Sequence, residues 1–209
     1  MFYLIGGVPR SGKTTLAKKL SLKVGVPWVS TDTLESVVME YVSPESFERL
    51  FPKSRMRKKT NLSNDEMYAQ YASKEIIDSY ISQGKSLERA IQMFVECEAK
   101  YNHQFILEGH HIQPEFVARL KERFELKAIF VGRDSVEKTV DATTQHANEN
   151  DWVTTKTKNP ETYQKIAEML VDFSQYVSES AKANGLTYVN VEDHFNEKIE
   201  EVSTMLATN

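Results

Sequence analysis

The stretch GVPRSGKTT, residues 7–15, decides the fold of this chain. Gly7 to Thr14 satisfy the Walker A pattern G-x-x-x-x-G-K-[ST], whose glycines let successive backbone N–H groups point at an anion. The helix that follows such a loop adds the positive end of its dipole. Lys13 is placed to reach the β- and γ-phosphates of a nucleotide, and the Thr14 hydroxyl to bind Mg²⁺. The predicted phosphate-binding loop consists of Gly7, Val8, Pro9, Arg10, Ser11, Gly12, Lys13, Thr14 and Thr15.

The sequence on either side of this loop supports the interpretation. An apolar strand, FYLIG, is expected at 2–6, and an amphipathic helix at 11–25, where Leu16, Leu20 and Val24 recur every four residues. The alternative is an ordinary glycine turn before a helix with a surface lysine. Arg10, inside the loop, either adds positive charge to the phosphates or faces solvent.

Short apolar runs alternate with helical patterns along the chain, which indicates an α/β fold with a mostly parallel sheet covered on both faces. Strands are predicted at 2–6, 26–31, 104–109, 126–132 and 186–191. Helices are predicted at 11–25, 33–42, 65–83, from 86 onward, at 114–124, at 134–149, from 160 to a stop at 184–185, and around 195–206. Gly84 is expected to end the third helix, and 43–64 is predicted to be irregular. Because ligands bind beyond the carboxyl ends of parallel strands, residues that follow strands are the first candidates for a site.

The composition is that of one globular domain over 1–209, with 40% apolar and 27% charged residues. A net charge of −4 gives no overall field that attracts nucleic acid. The single cysteine, Cys97, excludes an internal disulfide and a multi-cysteine zinc site, and fits a reducing cytoplasm. No run approaches the roughly 20 apolar residues of a membrane span, and the N-terminal MFYLIGG lacks the pattern of a signal peptide. We therefore expect a cytoplasmic protein.

Two acids follow predicted strands. Asp32 follows the second strand, where it can accept the proton of an attacking hydroxyl or hold Mg²⁺ through water. The alternative is a helix cap, because Thr31 or Asp32 followed by Glu35 fits a capping pattern. Glu108 ends the third strand and either orients Mg²⁺ or water, or is an ordinary exposed acid at a strand end.

The residues after Glu108 are further candidates. Gly109 permits a sharp turn or the close approach of a ligand. His110 and His111 invite a metal interpretation, but adjacent residues do not share a face of a helix or strand, and no cysteine joins them. We favour contact with a substrate, or simple polar filling, over zinc.

Basic residues are candidates for charge stabilisation. Arg133, after the fourth strand, is the last arginine of the chain, and it either stabilises a transferring phosphoryl group or pairs with a nearby acid. A basic cluster within 43–64 is either a site for an anionic acceptor or a solvated loop. The cluster consists of Lys53, Arg55, Arg57, Lys58 and Lys59, of which Arg55 and Arg57 are the substrate-binding candidates.

A region of about 134–159 is predicted to act as a lid that closes over phosphates and excludes water. It contains the polar segment NENDWVTTKTKN, residues 148–159, in which Trp152 is isolated. Trp152 either moves with the lid or anchors the segment. The apolar stripes at 65–101 and 160–181 are interpreted as core packing.

With these residues, the sequence resembles the P-loop small-molecule kinases: nucleoside monophosphate kinases, shikimate and gluconate kinases, and 2-phosphoglycerate kinase-like proteins. The resemblance lies in LIGGVPRSGKTTLAKKL (4–20) and VSTD (29–32), and ILEGHHIQP (106–114) is similar to the E-G-x-H segment of the last group. It implies a three-layer α/β/α sandwich with a five-stranded parallel sheet in the order 2-3-1-4-5. It also implies ATP with Mg²⁺ as donor, and an acceptor held between Asp32 and a helical region of about 33–101. Lids of these kinases usually carry arginine, whereas 134–209 contains none.

The resulting prediction is an ATP-dependent phosphotransferase that moves the γ-phosphoryl group of Mg-ATP to a small hydroxyl- or phosphate-bearing acceptor. In it, Lys13 and Arg133 stabilise the phosphoryl group, Asp32 is the base, and Thr14 with Asp32 or Glu108 holds Mg²⁺. The predicted acceptor-binding residues are Asp32, Arg55, Arg57, Glu108, Gly109 and His110. One alternative is a nucleotide-binding regulatory ATPase without a metabolite acceptor. The other is a nucleic-acid end kinase, against which the acidic charge argues.

Overall fold

A computed structural model describes residues 1–145 and 151–208 of the chain. Within these residues, five parallel strands form a sheet in the order β2-β3-β1-β4-β5. The strands are β1 (Phe2–Gly7), β2 (Trp28–Ser30), β3 (Phe105–Glu108), β4 (Leu126–Gly132) and β5 (Thr187–Asn190). The predicted α/β/α sandwich and its strand order are confirmed.

Strand β1 forms the centre of the sheet because its sequence is apolar on both faces. All six of its residues are buried, and it pairs with β3 on one side and β4 on the other. A strand covered on both faces requires such a continuous apolar run. The central position brings the end of β1, and the loop that follows it, to the middle of the carboxyl edge of the sheet.

Helices cover the sheet and extend one side of it. In the described part of the chain they are α1 (Lys13–Val24), α2 (Thr31–Tyr41), α3 (Pro44–Leu50), α4 (Pro52–Lys59), α5 (Asn64–Gln70), α6 (Ser73–Lys100), α7 (Pro114–Lys121), α8 (Val136–Gln145), α9 (Trp152–Lys156), α10 (Pro160–Ala183) and α11 (Phe195–Ala207). Helix α1 packs against α11, whereas α10 packs on β4 and contacts α6, α7 and α8. Across residues 1–145 and 151–208, no helix is both long enough and apolar enough to cross a membrane.

The prediction of an irregular region at 43–64 is wrong, because α3 and α4 lie there. Pro44 and Pro52 occupy the first turns of these two helices. Backbone N–H groups in a first turn make no hydrogen bond within the helix, so proline loses nothing by lacking one. Ser43 caps α3 by accepting a hydrogen bond from the Ser46 amide at 3.2 Å. The prolines therefore begin helices that the sequence pattern had suggested they interrupt.

Gly84 also does not end a helix. Helix α6 continues through it, and the expected helix at 65–83 is instead divided between α5 and α6. A Cβ atom at Gly84 would meet the side chain of Gln113, which donates a hydrogen bond to the Ile81 carbonyl at 2.7 Å. The glycine therefore allows the loop before α7 to approach the helix closely.

Candidate active site

The loop between β1 and α1 has the curled backbone that the glycine pattern predicts. Gly7, Arg10 and Gly12 have φ angles of 129°, 63° and 85°. A Cβ atom at Gly7 would collide with the backbone of Val131 in β4, and one at Gly12 with the ring of Phe195. Glycine is therefore required at both ends of the loop, because the φ angles are positive and because a side chain would collide with neighbouring residues.

The side chain of Lys13 lies inside this curve. Its Nζ donates a hydrogen bond to the Val8 carbonyl at 2.6 Å, and the Ser11 hydroxyl donates to the same oxygen at 2.8 Å. Burial lowers the pKa of Lys13, and the negative charges of Glu108 and Asp32 oppose that shift. The loop thus presents one buried ammonium group to whatever anion it holds.

Two oxygen-bearing side chains meet beside Lys13. The Thr14 hydroxyl donates a hydrogen bond to Glu108 Oε1 at 3.1 Å. Glu108 ends β3, where its backbone is in register with Ser30 of β2 and Ile5 of β1. Burial raises the pKa of Glu108, and Lys13 and the Thr14 hydrogen bond oppose the shift. Because Mg²⁺ prefers oxygen ligands, this pair and the glycine cradle fit the Mg-nucleotide that the sequence predicts.

A cavity of about 420 Å³ opens beside the loop, at the carboxyl ends of β1, β2 and β3. The predicted site residues that line it are Pro9, Arg10, Lys13, Thr14, Asp32, Arg57, Glu108, Gly109 and His110. A second hollow, of about 720 Å³, lies at the amino ends of β2 and β3, away from the loop. The cavity beside the loop is therefore the candidate active site.

The sequence analysis missed an aromatic wall of this cavity. Tyr68, Tyr80 and Trp152 line it, and burial raises the pKa of both tyrosines. Lys53 Nζ lies 5.4 Å from the centre of the Tyr80 ring. Tyr80 belongs to the apolar stripe at 65–101, for which the sequence pattern predicts core packing. The available signal was its hydroxyl, because a buried tyrosine oxygen requires a polar partner. Other lining residues not singled out are Glu35, Ser36 and Met67.

The structure separates the two arginines of the basic cluster. Arg57 lines the cavity, donates to the Asn64 side chain, and lies 5.8 Å from the centre of the Trp152 ring. Arg55 instead donates to the Glu48 carbonyl at 3.2 Å and is not among the lining residues. Only the first of the two is brought to the candidate site.

Arg133 lies behind the loop rather than in the cavity. Its Nε donates to the Arg10 carbonyl at 3.2 Å, and its backbone N–H donates to Ser174 Oγ at 3.1 Å. Arg10 itself lines the cavity, and its Nη1 lies 2.5 Å from Asp151 Oδ2. The guanidinium group that faces the site from this side is therefore that of Arg10.

The end of the predicted lid is held onto α5. Asn64 Nδ2 donates to the Trp152 carbonyl at 3.0 Å and to Thr157 Oγ1 at 2.8 Å. Asp151 is buried and caps α9 by accepting from the Val153 amide at 3.0 Å. Residues 146–150 of the predicted lid lie outside the described residues. Trp152 is thus anchored at the cavity by its own backbone.

Asp32 does not cap α2 with its side chain. The cap is Ser30, whose Oγ accepts a hydrogen bond from the Asp32 amide at 3.3 Å, and the helix begins at Thr31. The Asp32 side chain is 66% exposed and lines the cavity. Its carboxylate is consequently accessible to a bound acceptor.

Both histidines after Gly109 turn toward Asp32. Their Nδ1 atoms lie 3.6 Å (His110) and 3.7 Å (His111) from Asp32 Oδ1, and their ring centres are 3.8 Å apart. Both side chains are buried, and burial lowers the pKa of His110 well below its usual value. His110 is therefore neutral near pH 7. His110 and His111 lie in neither a helix nor a strand, so the rule that adjacent residues do not share a face of those elements does not limit them here.

We expect Gly109→Ala to destabilise the protein strongly. Gly109 has a φ of 154°, and a Cβ atom there would overlap the Thr31 side chain. Backbone strain of about 1–3 kcal/mol and overpacking of about 1–3 kcal/mol should add. The measurement is urea unfolding, with Gly25→Ala as the matched control, because Gly25 has a φ of 68° but open space around it. Equal losses in free energy of unfolding would contradict the close packing described for Gly109.

The fold is similar to those of solved kinases. A gluconokinase from Sinorhizobium meliloti 1021 superposes with a TM-score of 0.50 at 15% identity, over 98% of this chain and 90% of that chain. A shikimate kinase from Aquifex aeolicus vf5 gives a TM-score of 0.45 at 14% identity, over 99% and 95% of the two chains. No family model matches the sequence, and no curated protein matches it. The likeness to the gluconokinase shows the fold of the P-loop small-molecule kinases, while the site must be argued from its own residues.

Proposed function

We propose that this chain, which has the fold of the P-loop small-molecule kinases, transfers the γ-phosphoryl group of Mg-ATP to a small acceptor. One observation supports the proposal above all. Lys13 and Thr14 of the loop line the same cavity as Asp32 and Arg57 on the acceptor side. A donor phosphate on the loop and an acceptor in the cavity would therefore be neighbours, and phosphoryl transfer depends mainly on such positioning.

On the donor side, the chain supplies charge and directed N–H groups. The backbone of 7–15 and the amino end of α1 would hold the triphosphate. Lys13 would exchange its hydrogen bond with the Val8 carbonyl for one with a phosphate oxygen. Thr14 and Glu108 are the candidate ligands of Mg²⁺, which neutralises charge on the phosphates when bound.

On the acceptor side, the residues favour a small molecule with a hydroxyl group and an anionic part. Asp32 is exposed to the cavity, so that its carboxylate can accept the hydroxyl proton. Arg57 and Lys53 line the same cavity and would hold the anionic part. The neutral hydroxyls of Tyr68 and Tyr80 would donate hydrogen bonds from the aromatic wall.

Arg10 is our candidate for the arginine that the lid lacks. Its guanidinium group lines the cavity, and the buried Asp151 carboxylate orients it. Of the lysines that could replace a lid arginine, Lys138 pairs with Asp193 at 2.7 Å instead. Arg133 supports the loop through the Arg10 carbonyl, which makes it a positioning residue in this proposal.

Replacing Arg10 by alanine should lower the rate of phosphoryl transfer by about 10²–10³-fold, the usual loss for one preorganised donor. Arg10→Lys should recover little, because an ammonium group lacks the planar set of donors with which a guanidinium group can bind two phosphate oxygens. The measurement is kcat with the best acceptor. Arg119→Ala is the control, since Arg119 pairs with Glu88 on the surface. An unchanged kcat in Arg10→Ala would exclude this role.

The proposal is tested by ADP release from Mg-ATP in the presence of pooled acceptors. The pools are nucleoside monophosphates, sugar acids, phosphoglycerates, hydroxy acids, aminoglycoside-like alcohols and 5′-hydroxyl oligonucleotides, with Lys13→Ala as the blank. A pool of small acceptors that raises the rate well above background supports the proposal and identifies the acceptor class. Stimulation by the oligonucleotides alone would point to a nucleic-acid end kinase. Confirmed nucleotide binding without stimulation by any pool would favour a regulatory ATPase.

A further inference from the structure

We propose that Asp32, His110 and His111 form a binding site for a borderline divalent cation such as Zn²⁺, separate from the Thr14–Glu108 pair. One ligand atom from each of the three residues lies within 4.8 Å of the other two. The inference concerns a second metal and does not depend on the phosphotransfer proposed above.

The distances between these atoms suit a shared metal ion better than direct hydrogen bonds. His110 Nδ1 and His111 Nδ1 lie 3.6 and 3.7 Å from Asp32 Oδ1, beyond hydrogen-bonding distance. Zinc–ligand bonds of about 2.0–2.1 Å in a tetrahedron place neighbouring ligand atoms roughly 3.3–3.4 Å apart. A movement of a few tenths of an ångström would therefore bring each histidine nitrogen to that spacing from Asp32 Oδ1.

The backbone explains how two consecutive histidines reach one point. Gly109, with its φ of 154°, turns the chain sharply at the end of β3, so His110 and His111 follow neither helix nor strand geometry. Their rings lie side by side, with centres 3.8 Å apart and planes inclined by 40°. Both are buried, which fixes this arrangement before a ligand binds.

The surroundings of His111 bear on which of its ring nitrogens can bind a metal. The Thr31 hydroxyl lies 2.9 Å from His111 Nδ1, and Glu35 Oε2 lies 3.6 Å from His111 Nε2. With the proton on Nε2, the Nδ1 lone pair accepts a hydrogen bond from the Thr31 hydroxyl, and a cation at Nδ1 would replace that hydrogen bond. A carboxylate behind a histidine ligand is a usual support of protein metal sites, and Glu35 would have to move closer to His111 Nε2 to fill that role. His110 is held differently, by an edge-to-face contact between its ring and that of Tyr80, with the ring centres 5.1 Å apart.

The ligand set determines which cation is expected. Two imidazoles and one carboxylate suit Zn²⁺, Fe²⁺ or Co²⁺ rather than Mg²⁺, which prefers oxygen ligands. Three protein ligands leave at least one position open, as in catalytic rather than structural zinc sites. Asp32 and His110 line the cavity, so an ion held by them would lie beside the space proposed for the acceptor. An ion bound there would occupy the carboxylate otherwise available as a base.

The test is titration of the untagged protein with Co²⁺ in excess Mg²⁺, which fills the oxygen sites, followed by visible absorption. We expect one Co²⁺ per chain, with the strong bands of a low-coordinate site, and their loss on addition of Zn²⁺. Asp32→Asn and His110→Gln should each weaken binding at least 10-fold, because each removes a ligand of the ion. His103→Gln is the matched control, because His103 is an exposed histidine that pairs with Glu98.

Three outcomes would overturn the inference: no bands in the wild-type protein, bands of equal strength in Asp32→Asn, or equal weakening in His103→Gln. Circular dichroism and thermal melting verify that each variant is folded. If His110→Gln does not fold, Asp32→Asn decides the question, since the Asp32 side chain is 66% exposed. The assay contains neither nucleotide nor acceptor, so its failure is distinguishable from failure of the proposed kinase activity.

Discussion

Replacing Lys13 by alanine should reduce phosphoryl transfer by about 10³-fold while leaving the fold intact, since removal of one preorganised donor costs up to this factor. Lys13 Nζ lies within the curve of the loop, 2.6 Å from the Val8 carbonyl, at the position where a phosphate would bind. No other lysine is among the residues that line the loop side of the cavity in the described structure. The other cations of the cavity are Arg10, which pairs with Asp151, and Lys53 and Arg57 on the opposite side.

The measurement is the rate of ADP release with the best acceptor, alongside thermal melting. Lys18→Ala is the matched control, because Lys18 lies on the same helix but is exposed and faces the Trp28 ring. We expect the control to keep its rate. The melting temperature of Lys13→Ala should stay the same or rise, because burial disfavours the charged form of this lysine. Full activity in Lys13→Ala would disprove the assignment of the phosphate-binding loop.

Asp32→Asn should lower the rate of transfer to an alcohol by about 10²–10⁴-fold, the range of general base catalysis. The substitution keeps the size of the side chain and removes the ability to accept a proton. Because the cap of α2 is Ser30, the change should leave the free energy of unfolding within about 0.5 kcal/mol of the wild-type value. Binding of Mg-ATP should also be retained, since the loop is unchanged.

A comparison with Ser30→Ala separates catalysis from capping. Removal of the Ser30 hydroxyl should cost about 1 kcal/mol of stability, the typical loss for a cap, without the large fall in rate. Urea unfolding, nucleotide binding and kcat are measured for both variants. If Asp32→Asn instead lowers stability and leaves kcat unchanged, the base assignment is wrong. Glu40→Gln, on the same helix as Asp32, controls for the loss of a nearby negative charge.

The loop and the sheet could be predicted from sequence because their causes are local. The G-x-x-x-x-G-K-T spacing constrains the backbone of 7–15 directly, and the continuous apolar run of β1 requires a place at the centre of a covered sheet. The same reasoning placed Asp32 and Glu108 at strand ends, where the parallel arrangement brings them to one edge. Local reasoning failed at 43–64 and at Gly84. Proline can begin a helix as well as interrupt one, and glycine can lie inside a helix as well as end it.

Only the tertiary structure decided which side chains share the cavity. Arg133 and Arg10 have the same chemistry but different positions. Arg133, at the end of β4, lies behind the loop and donates to the Arg10 carbonyl. Arg10 lines the cavity, where its side chain pairs with the buried Asp151. His110 and His111 converge because Gly109 turns the chain between regular elements, where no periodic pattern applies. The sequence by itself determined the glycine-rich loop of 7–15, since that loop is one continuous segment. The opposite wall of the cavity, our proposed acceptor side, is assembled from α2, α4, α5, α6 and Trp152 of α9, and long-range packing sets its geometry.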